Sequence, residues 1–79
     1  MEKEILRTII VTSENTQGVL YRIAGIFLRR KINVEYLEVH VLANQQAHFT
    51  IKVLTTLNLA EKIRNQISKI IGVNDAKIV

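Results

Sequence analysis

The stretch that decides the fold runs from Val34 to Leu54 and reads VEYLEVHVLANQQAHFTIKVL. Apolar and polar residues alternate along its first half, Val34 to Leu42, and again along its second half, Ala47 to Leu54. Such alternation places one set of side chains on each face of a strand. The polar segment Asn44 to Gln46 separates the two halves. Two alternating strands joined by a short polar loop predict a β-hairpin.

A helical pattern flanks this hairpin on each side. On its N-terminal side, apolar residues recur at helical spacing and cations close the segment, which predicts a helix from about Val19 to Arg30. On its C-terminal side, Asn58 followed three residues later by Glu61 is a capping-box pattern and predicts the start of a second helix. Gly72 is expected to end that helix. Its buried stripe is expected at four isoleucines: Ile63, Ile67, Ile70 and Ile71.

A further strand lies outside each helix. Ile5 to Thr12 is rich in β-branched residues on both alternating sets, which is typical of a strand inside a sheet. Val73 to Val79 predicts a final short strand. The order β-α-β-β-α-β with right-handed crossovers places both helices on one face of a four-stranded antiparallel sheet. The predicted fold class is α+β, a ferredoxin-like βαββαβ sandwich that forms a single domain over residues 1–79. This fold hosts many functions.

The composition excludes several classes of protein. A chain of 79 residues forms one domain, and domains of this size often gain stability by oligomerising. The sequence contains no cysteine, which excludes disulfide frameworks and cysteine-based metal sites. No apolar run approaches the roughly 18 residues that cross a bilayer, and the N-terminus does not read as a signal peptide. We therefore expect a soluble, cytoplasmic protein with no membrane partner.

The net charge of +4, from 11 basic and 7 acidic residues, raises the question of nucleic-acid binding. An RNA-binding module on this fold needs exposed aromatic residues on the central strands, and Phe49 is the only candidate there. We therefore expect no nucleic-acid partner and interpret the cations as a solvated helical face. Most of them fall on the two predicted helices: Arg22, Arg29, Arg30, Lys31, Lys62, Arg64 and Lys69.

The sequence offers no catalytic residue and no metal site. His40 and His48 could face one another across the hairpin, but neither has the spacing of a catalytic triad, and we interpret them as polar positions on half-exposed strands. Glu35 and Glu38 are three residues apart on a strand, so they point to opposite faces and cannot act as a carboxylate pair. The chain is therefore predicted to be a binding domain rather than an enzyme.

The turn from Glu14 to Gly18 is more informative, because it leaves a strand and opens a helix. The amides of Thr16 to Leu20 are expected to point out of the positive helix end, which favours a carboxylate or a phosphate. Gly18 allows close approach of a ligand, and Asn15 supplies both a donor and an acceptor. A plain helix cap is the alternative. Asn33, just before the second strand, is either a second site residue or an exposed residue of an ordinary turn.

The segment from Asn15 to Val39 resembles the ACT domain of the acetolactate synthase (acetohydroxyacid synthase) small, regulatory subunit. It carries the family's N-x-x-G-x-L-x-R start, a G-x-F helix core at Gly25 to Phe27 and an N-[IV]-E entry to the second strand at Asn33 to Glu35. The similarity is continuous over this segment. The element order extends it over nearly the whole chain.

The resemblance implies a non-catalytic subunit that binds the catalytic large subunit and adjusts its activity in response to branched-chain amino acids, chiefly valine. Thiamine diphosphate, FAD and magnesium are expected on the catalytic subunit and no cofactor on this chain. The effector would lie at a homodimer interface formed through strand two. There the turn receives its α-carboxylate and Asn33 contributes from across the dimer. The implied effector-binding residues are Asn15, Thr16, Gln17, Gly18, Val19, Asn33 and Val34.

Two differences from the family pattern leave the identity of the effector open. Tyr36 stands where the family usually has Ser or Thr, and the segment Gln46 to Thr50 lacks the family's Arg. A stand-alone ACT regulator of another metabolic enzyme is an alternative. Gln17 to Arg22 also resembles the acylphosphatase signature, in which loop amides and an Arg cradle a phosphate. That second alternative predicts a hydrolase.

Overall fold

The six predicted elements are present in the predicted order. The structure is a computed structural model that describes residues 3–14 and 16–79. The elements are β1 (Ile5–Ser13), α1 (Thr16–Arg29), β2 (Val34–Val41), β3 (Ala47–Thr55), α2 (Leu57–Ser68) and β4 (Val73–Ile78). Neither helix of the described residues is long and apolar enough to cross a membrane.

The four strands form one antiparallel sheet in the order β2-β3-β1-β4. β1 is an interior strand, as its two apolar faces predicted. The β2–β3 hairpin closes where Gln45 adopts a φ of 68° and the amide of Leu42 donates to the carbonyl of Gln46 at 2.7 Å. The sheet therefore ends in β2 on one edge and β4 on the other.

The core lies between one face of the sheet and the two helices. Alternate residues of the two central strands are fully buried, among them Ile9, Phe49 and Ile51. They form one cluster with Phe27 of α1 and Ile63 of α2. Each such side chain contributes roughly 1.5 to 3 kcal/mol on burial. Both helices of the described residues lie on that one face, so the residues of the opposite face remain at least partly accessible.

α1 begins earlier than the sequence pattern predicted. Its first residue is Thr16 rather than Val19, so Gly18 lies inside the first turn instead of preceding the helix. The helix ends at Arg29, and Lys31 follows with a φ of 56°. The expected boundaries were therefore wrong by three residues at the start and one at the end.

α2 also differs from its prediction at both ends. Its cap is Thr56, whose Oγ1 accepts from the amide of Leu59 at 3.2 Å, so Asn58 is not the cap. The helix ends at Ser68, and Ile71 lies beyond it with 86% of its surface exposed. The expectation that Ile71 is buried was wrong. Gly72, with a φ of 101°, lies in the turn to β4 rather than at the helix end.

Candidate functional site

The first candidate segment is the first turn of α1. Gln17 and Gly18 are exposed there, whereas the Val19 side chain is buried in the core with 2% of its surface accessible. Val19 can therefore contribute only its backbone to a ligand. Asn15 lies outside the described residues, and so does the side chain of Thr16.

This turn has the properties of an anion site. The start of a helix carries a partial positive charge, and the first turn of α1 contains no acidic residue that would oppose a ligand carboxylate. A Cβ atom placed on Gly18 would meet nothing within 4 Å. The space outside Gly18 is therefore open to a ligand. Because the helix starts at Thr16, Leu20 lies beyond its first turn. The expectation that the Leu20 amide points out of the helix end was therefore wrong.

The second candidate segment follows the other end of α1. The amide of Lys31 donates to the carbonyl of Leu28 at 3.1 Å, and the amide of Ile32 donates to that of Phe27 at 3.1 Å. This pair of hydrogen bonds, with a left-handed residue between helix and strand, is the Schellman motif that closes many helices. It turns the chain sharply, so that Asn33 is exposed at the start of β2.

Asn33 and Val34 open onto an apolar groove of about 250 Å³ between α1 and β2. An amide group at the mouth of an apolar groove suits a small ligand with a polar end and an aliphatic end. The groove is lined on its other sides by Leu20, Ile23, Ala24, Phe27, Leu28, Ile32, Leu37 and Ile51.

The two candidate segments do not meet within one chain. α1 has 14 residues and is therefore about 20 Å long. Gly18 lies at one end of this helix and Asn33 beyond the other. The groove beside Asn33 includes none of the described residues of the first turn. One chain thus brings Asn33 and Val34 together, and separately Gln17 and Gly18, but it cannot place both pairs around one small amino acid.

Strand β2 is the uncovered edge next to this groove, and every residue in it is exposed. Four of its apolar residues point toward the helix side of the sheet, because they pair with buried residues of β3. These are Val34, Leu37, Val39 and Val41, with 39%, 48%, 37% and 55% of their surfaces accessible. An edge strand with unpaired backbone groups and an apolar row is a template for another strand.

The alternative sites suggested by the sequence lack the geometry that their functions require. The segment Gln17 to Arg22 is helical, so it does not form the phosphate-cradling loop of an acylphosphatase. Phe49 is fully buried in the core, so it provides no stacking surface for RNA. His40 and His48 do face one another across the hairpin. However, the described residues contain no group of three or more His, Cys, Asp or Glu side chains that could hold a metal ion.

The chain is similar to known proteins over most of its length. Residues 9–75 match the family described as the AHAS small subunit-like ACT domain. The chain belongs to this ACT-domain family. The matched residues include the first turn of α1, all of the groove beside Asn33 and the whole of β2.

The ACT domain has a relative in Arabidopsis thaliana, the protein named acetolactate synthase small subunit 2, chloroplastic. The two are 39% identical over 66 residues, which cover 84% of this chain and 14% of the relative. The chain therefore corresponds to a small part of that relative's length. The family and this relative agree with the resemblance found in the sequence.

Solved structures share the same fold. The acetolactate synthase small subunit from Thermotoga maritima is 21% identical, with a TM-score of 0.81 over 94% of this chain and 47% of that one. The ACT domain of GTP pyrophosphokinase from Chlorobium tepidum is 13% identical, with a TM-score of 0.83 over 96% of this chain and 99% of that one. At these identities the likeness establishes the ACT fold.

Proposed function

We propose that this ACT domain is a non-catalytic regulatory unit of acetolactate synthase, which binds a branched-chain amino acid, valine foremost, between two copies of the chain. The observation that carries the proposal is the match of residues 9–75 to the AHAS small subunit-like ACT family. The groove beside Asn33 and the first turn of α1 supply the two kinds of surface that such an effector needs.

A twofold dimer through β2 would bring the two halves of the site together. The first turn of α1 lies at the end of the sheet where β1 and β2 finish, and Asn33 lies at the end where β2 begins. Antiparallel pairing of two β2 edges about a twofold axis sets the finish of one strand beside the start of the other. Gly18 of each copy then approaches Asn33 of the second copy.

The chemistry of the two halves fits an amino-acid zwitterion. The α-carboxylate would lie at the first turn of α1, outside Gly18, where helix amides and the helix dipole favour an anion. The side-chain oxygen of Asn33 in the second copy can accept from the α-ammonium group. The aliphatic side chain would then enter the apolar groove beside Val34, where burial contributes roughly 0.8 kcal/mol for each CH₂ group.

The pair of ACT domains would act by binding the catalytic large subunit and adjusting its activity. We propose that this subunit binds the thiamine diphosphate, FAD and magnesium of the reaction. The two proteins would associate in the cytoplasm. A ligand changes the activity of its partner only if it binds one conformation of the complex more tightly than another. The ordering of the interface by an effector is the event that could transmit such a preference.

Isothermal titration with valine, leucine and isoleucine tests the sensing claim. We expect one amino acid bound per chain, and loss of the heat in Gly18→Asp because a carboxylate would occupy the anion site. Gly25→Asp is a matched control on the same helix, since a Cβ there also meets nothing within 4 Å. Absence of heat with all three amino acids would exclude sensing, and equal heats in wild type and Gly18→Asp would place the site elsewhere.

Co-purification with the catalytic subunit from the same organism tests the subunit claim. We expect a stable complex and a change in the rate of acetolactate formation when the domain is added. The alternative, a stand-alone ACT regulator of another metabolic enzyme, predicts amino-acid binding without such a complex. The two experiments therefore separate the proposed function from its alternative.

A further inference from the structure

The solvent side of α1 carries large apolar side chains. Tyr21 and Leu28 are two turns apart, and 82% and 79% of their surfaces are exposed. Ala24 and Gly25 lie between them, and a Cβ on Gly25 would meet nothing within 4 Å. The solvent side of a surface helix normally carries polar residues. Two large apolar side chains separated by a shallow notch suggest that this side of α1 is covered by a partner.

This notch opens into a groove of about 720 Å³ between α1 and α2. Ile26 and Ile70 provide apolar lining. Its polar lining consists of Arg22, Arg29, Gln66 and Lys69, with no acidic side chain among the lining residues. The groove is therefore apolar at its base and positively charged at its rim.

A hydrogen bond between the helices lies next to this groove. The guanidinium Nε of Arg30 donates to Oε1 of Gln66 at 2.8 Å. This bond ties the C-terminal end of α1 to α2, close to the rim residues Arg29 and Lys69 on the two helices. The bond supports the relative position of the two helices that form the groove.

The positive rim argues against a second copy of this chain as the occupant. A twofold contact of the groove with itself would set Arg22 and Arg29 against the same cations of the other copy. Like charges brought together at an interface cost binding energy. The dimer proposed above uses the flank of α1 next to β2, whereas α2 packs on β4 and β1. Ala24 and Leu28 line both grooves, but the cations of the rim line only the groove between α1 and α2. The rim would therefore remain open in that dimer.

The lining favours a protein rather than a nucleic acid. Sequence-tolerant binding of single strands relies on successive bases stacking on several aromatic side chains. Tyr21 is the only aromatic residue in the lining, and its neighbours Leu28 and Ile70 are aliphatic. Aliphatic surface matches the apolar side chains of a protein segment better than it matches a phosphate backbone.

We propose that the groove between α1 and α2 docks an acidic amphipathic helix of a partner protein. A large apolar side chain of that helix enters the notch at Gly25 between Tyr21 and Leu28. Its carboxylates pair with the cations of the rim. Buried aromatic and arginine residues are the side chains that most often dominate binding energy at interfaces. Because this docking site rests on the proposed function, its partner is the catalytic subunit, and the groove is the surface that binds it.

A charge-reversal experiment tests the rim. The full chain carrying Arg22→Glu, Arg29→Glu and Lys69→Glu is compared with a control carrying Lys3→Glu, Lys52→Glu and Lys77→Glu, which changes the net charge equally at sites outside the groove. Binding to the purified catalytic subunit is measured at low and moderate salt. We expect the groove variant to bind at least about tenfold more weakly at low salt and to lose its salt dependence. The control should stay within about threefold of wild type.

An apolar variant tests the notch. Tyr21→Ala, at a residue that lines only this groove, should weaken binding by about tenfold or more at both salt concentrations, because it removes apolar contact and leaves the charges in place. Thermal unfolding and the mass of the free protein establish that each variant folds and assembles as wild type does. These readouts separate a docking defect from a folding defect.

The outcomes distinguish this inference from the proposed function. Wild-type protein that fails to bind the catalytic subunit contradicts the proposed function and removes the occupant named here. Wild-type protein that binds, while both groove variants bind equally tightly, overturns this inference alone. Tight binding of generic RNA that the charge-reversal variant loses would also overturn it, by replacing the protein partner with a nucleic acid.

Discussion

The ammonium nitrogen of Lys52 lies 5.1 Å from the centre of the Tyr36 ring, on the face of the sheet opposite the two helices. Tyr36 pairs with Lys52 in the register of β2 and β3, and its hydroxyl donates to Oε2 of Glu38 at 3.4 Å. The next residue, Leu37, points to the other face and lines the groove beside Asn33. The Tyr36 side chain is therefore directed away from that groove. In the sequence, its difference from the family's Ser or Thr left the identity of the effector open.

This orientation predicts that Tyr36→Ser leaves amino-acid affinity within about threefold of wild type. The variant should lose the exposed hydrogen bond to Glu38 and the contact with Lys52, and the latter contributes about 0.5 to 1 kcal/mol at an exposed site. Leu37→Ser, one residue along the strand, is the matched control and should weaken affinity markedly. Calorimetry and urea unfolding measure the two effects. A large loss of affinity in Tyr36→Ser would show that the effector reaches the open face.

The two open glycines of α1 predict opposite functional effects from the same substitution. Gly18→Ala and Gly25→Ala should each raise the free energy of unfolding by about 0.5 to 1 kcal/mol, because alanine is the better helix residue and both positions have room. Gly18→Ala should weaken amino-acid binding and leave binding of the catalytic subunit unchanged. Gly25→Ala should do the reverse. Urea unfolding, calorimetry and complex formation would show whether the two surfaces are separate.

The uncovered strand β2 predicts that Val39→Lys yields a monomer. Val39 has 37% of its surface exposed in the single chain, so the lysine can reach solvent without unfolding the domain, but it would place a charge inside a β2–β2 contact. Sedimentation equilibrium would then report 9.0 kDa rather than about twice that mass. His48→Lys, on the open face of β3, is the control and should remain a dimer. A dimer that survives Val39→Lys would exclude strand β2 as the interface.

The helix-to-strand turn after α1 predicts a stabilising substitution. Lys31 has a φ of 56°, where a side chain costs about 1 kcal/mol relative to glycine. Lys31→Gly should therefore raise the free energy of unfolding by up to about 1 kcal/mol in urea. Arg30→Gly is the control, and it should lower stability because it removes the hydrogen bond to Gln66. Lower stability in Lys31→Gly would mean that the lysine side chain has a stabilising contact.

Periodicity predicted the elements because burial on one face imposes it. The alternation of Ala47 to Leu54 follows directly from a sheet covered on one side, and the two apolar faces of β1 accompany its position inside the sheet. Helix ends were harder to place, because they depend on single hydrogen bonds. Thr56 caps α2, but Asn58 offers the same chemistry two residues later, and the sequence cannot say which oxygen meets an amide. Ile71 was expected to be buried because the apolar pattern of α2 continues past the residue at which the helix ends.

The site was predicted in its parts rather than in its arrangement. Sequence similarity identified the turn at Gly18 and the entry to β2 at Asn33, but their separation depends on the length and direction of α1. The groove between α1 and α2 could not be predicted, since residue types alone do not show that Tyr21 and Leu28 face solvent. The basic residues on the helices were interpreted as a solvated face, whereas Arg22, Arg29 and Lys69 converge on one groove.

The length of α1 predicts complementation between two alleles. If each effector site combines Gly18 of one copy with Asn33 of the other, then Gly18→Asp and Asn33→Ala damage the same site from opposite sides. A mixed dimer with one of each concentrates both defects in one site and leaves the second site entirely wild type. Two alleles that are each insensitive to the amino acid should therefore restore partial feedback when expressed together, whereas either allele alone should not.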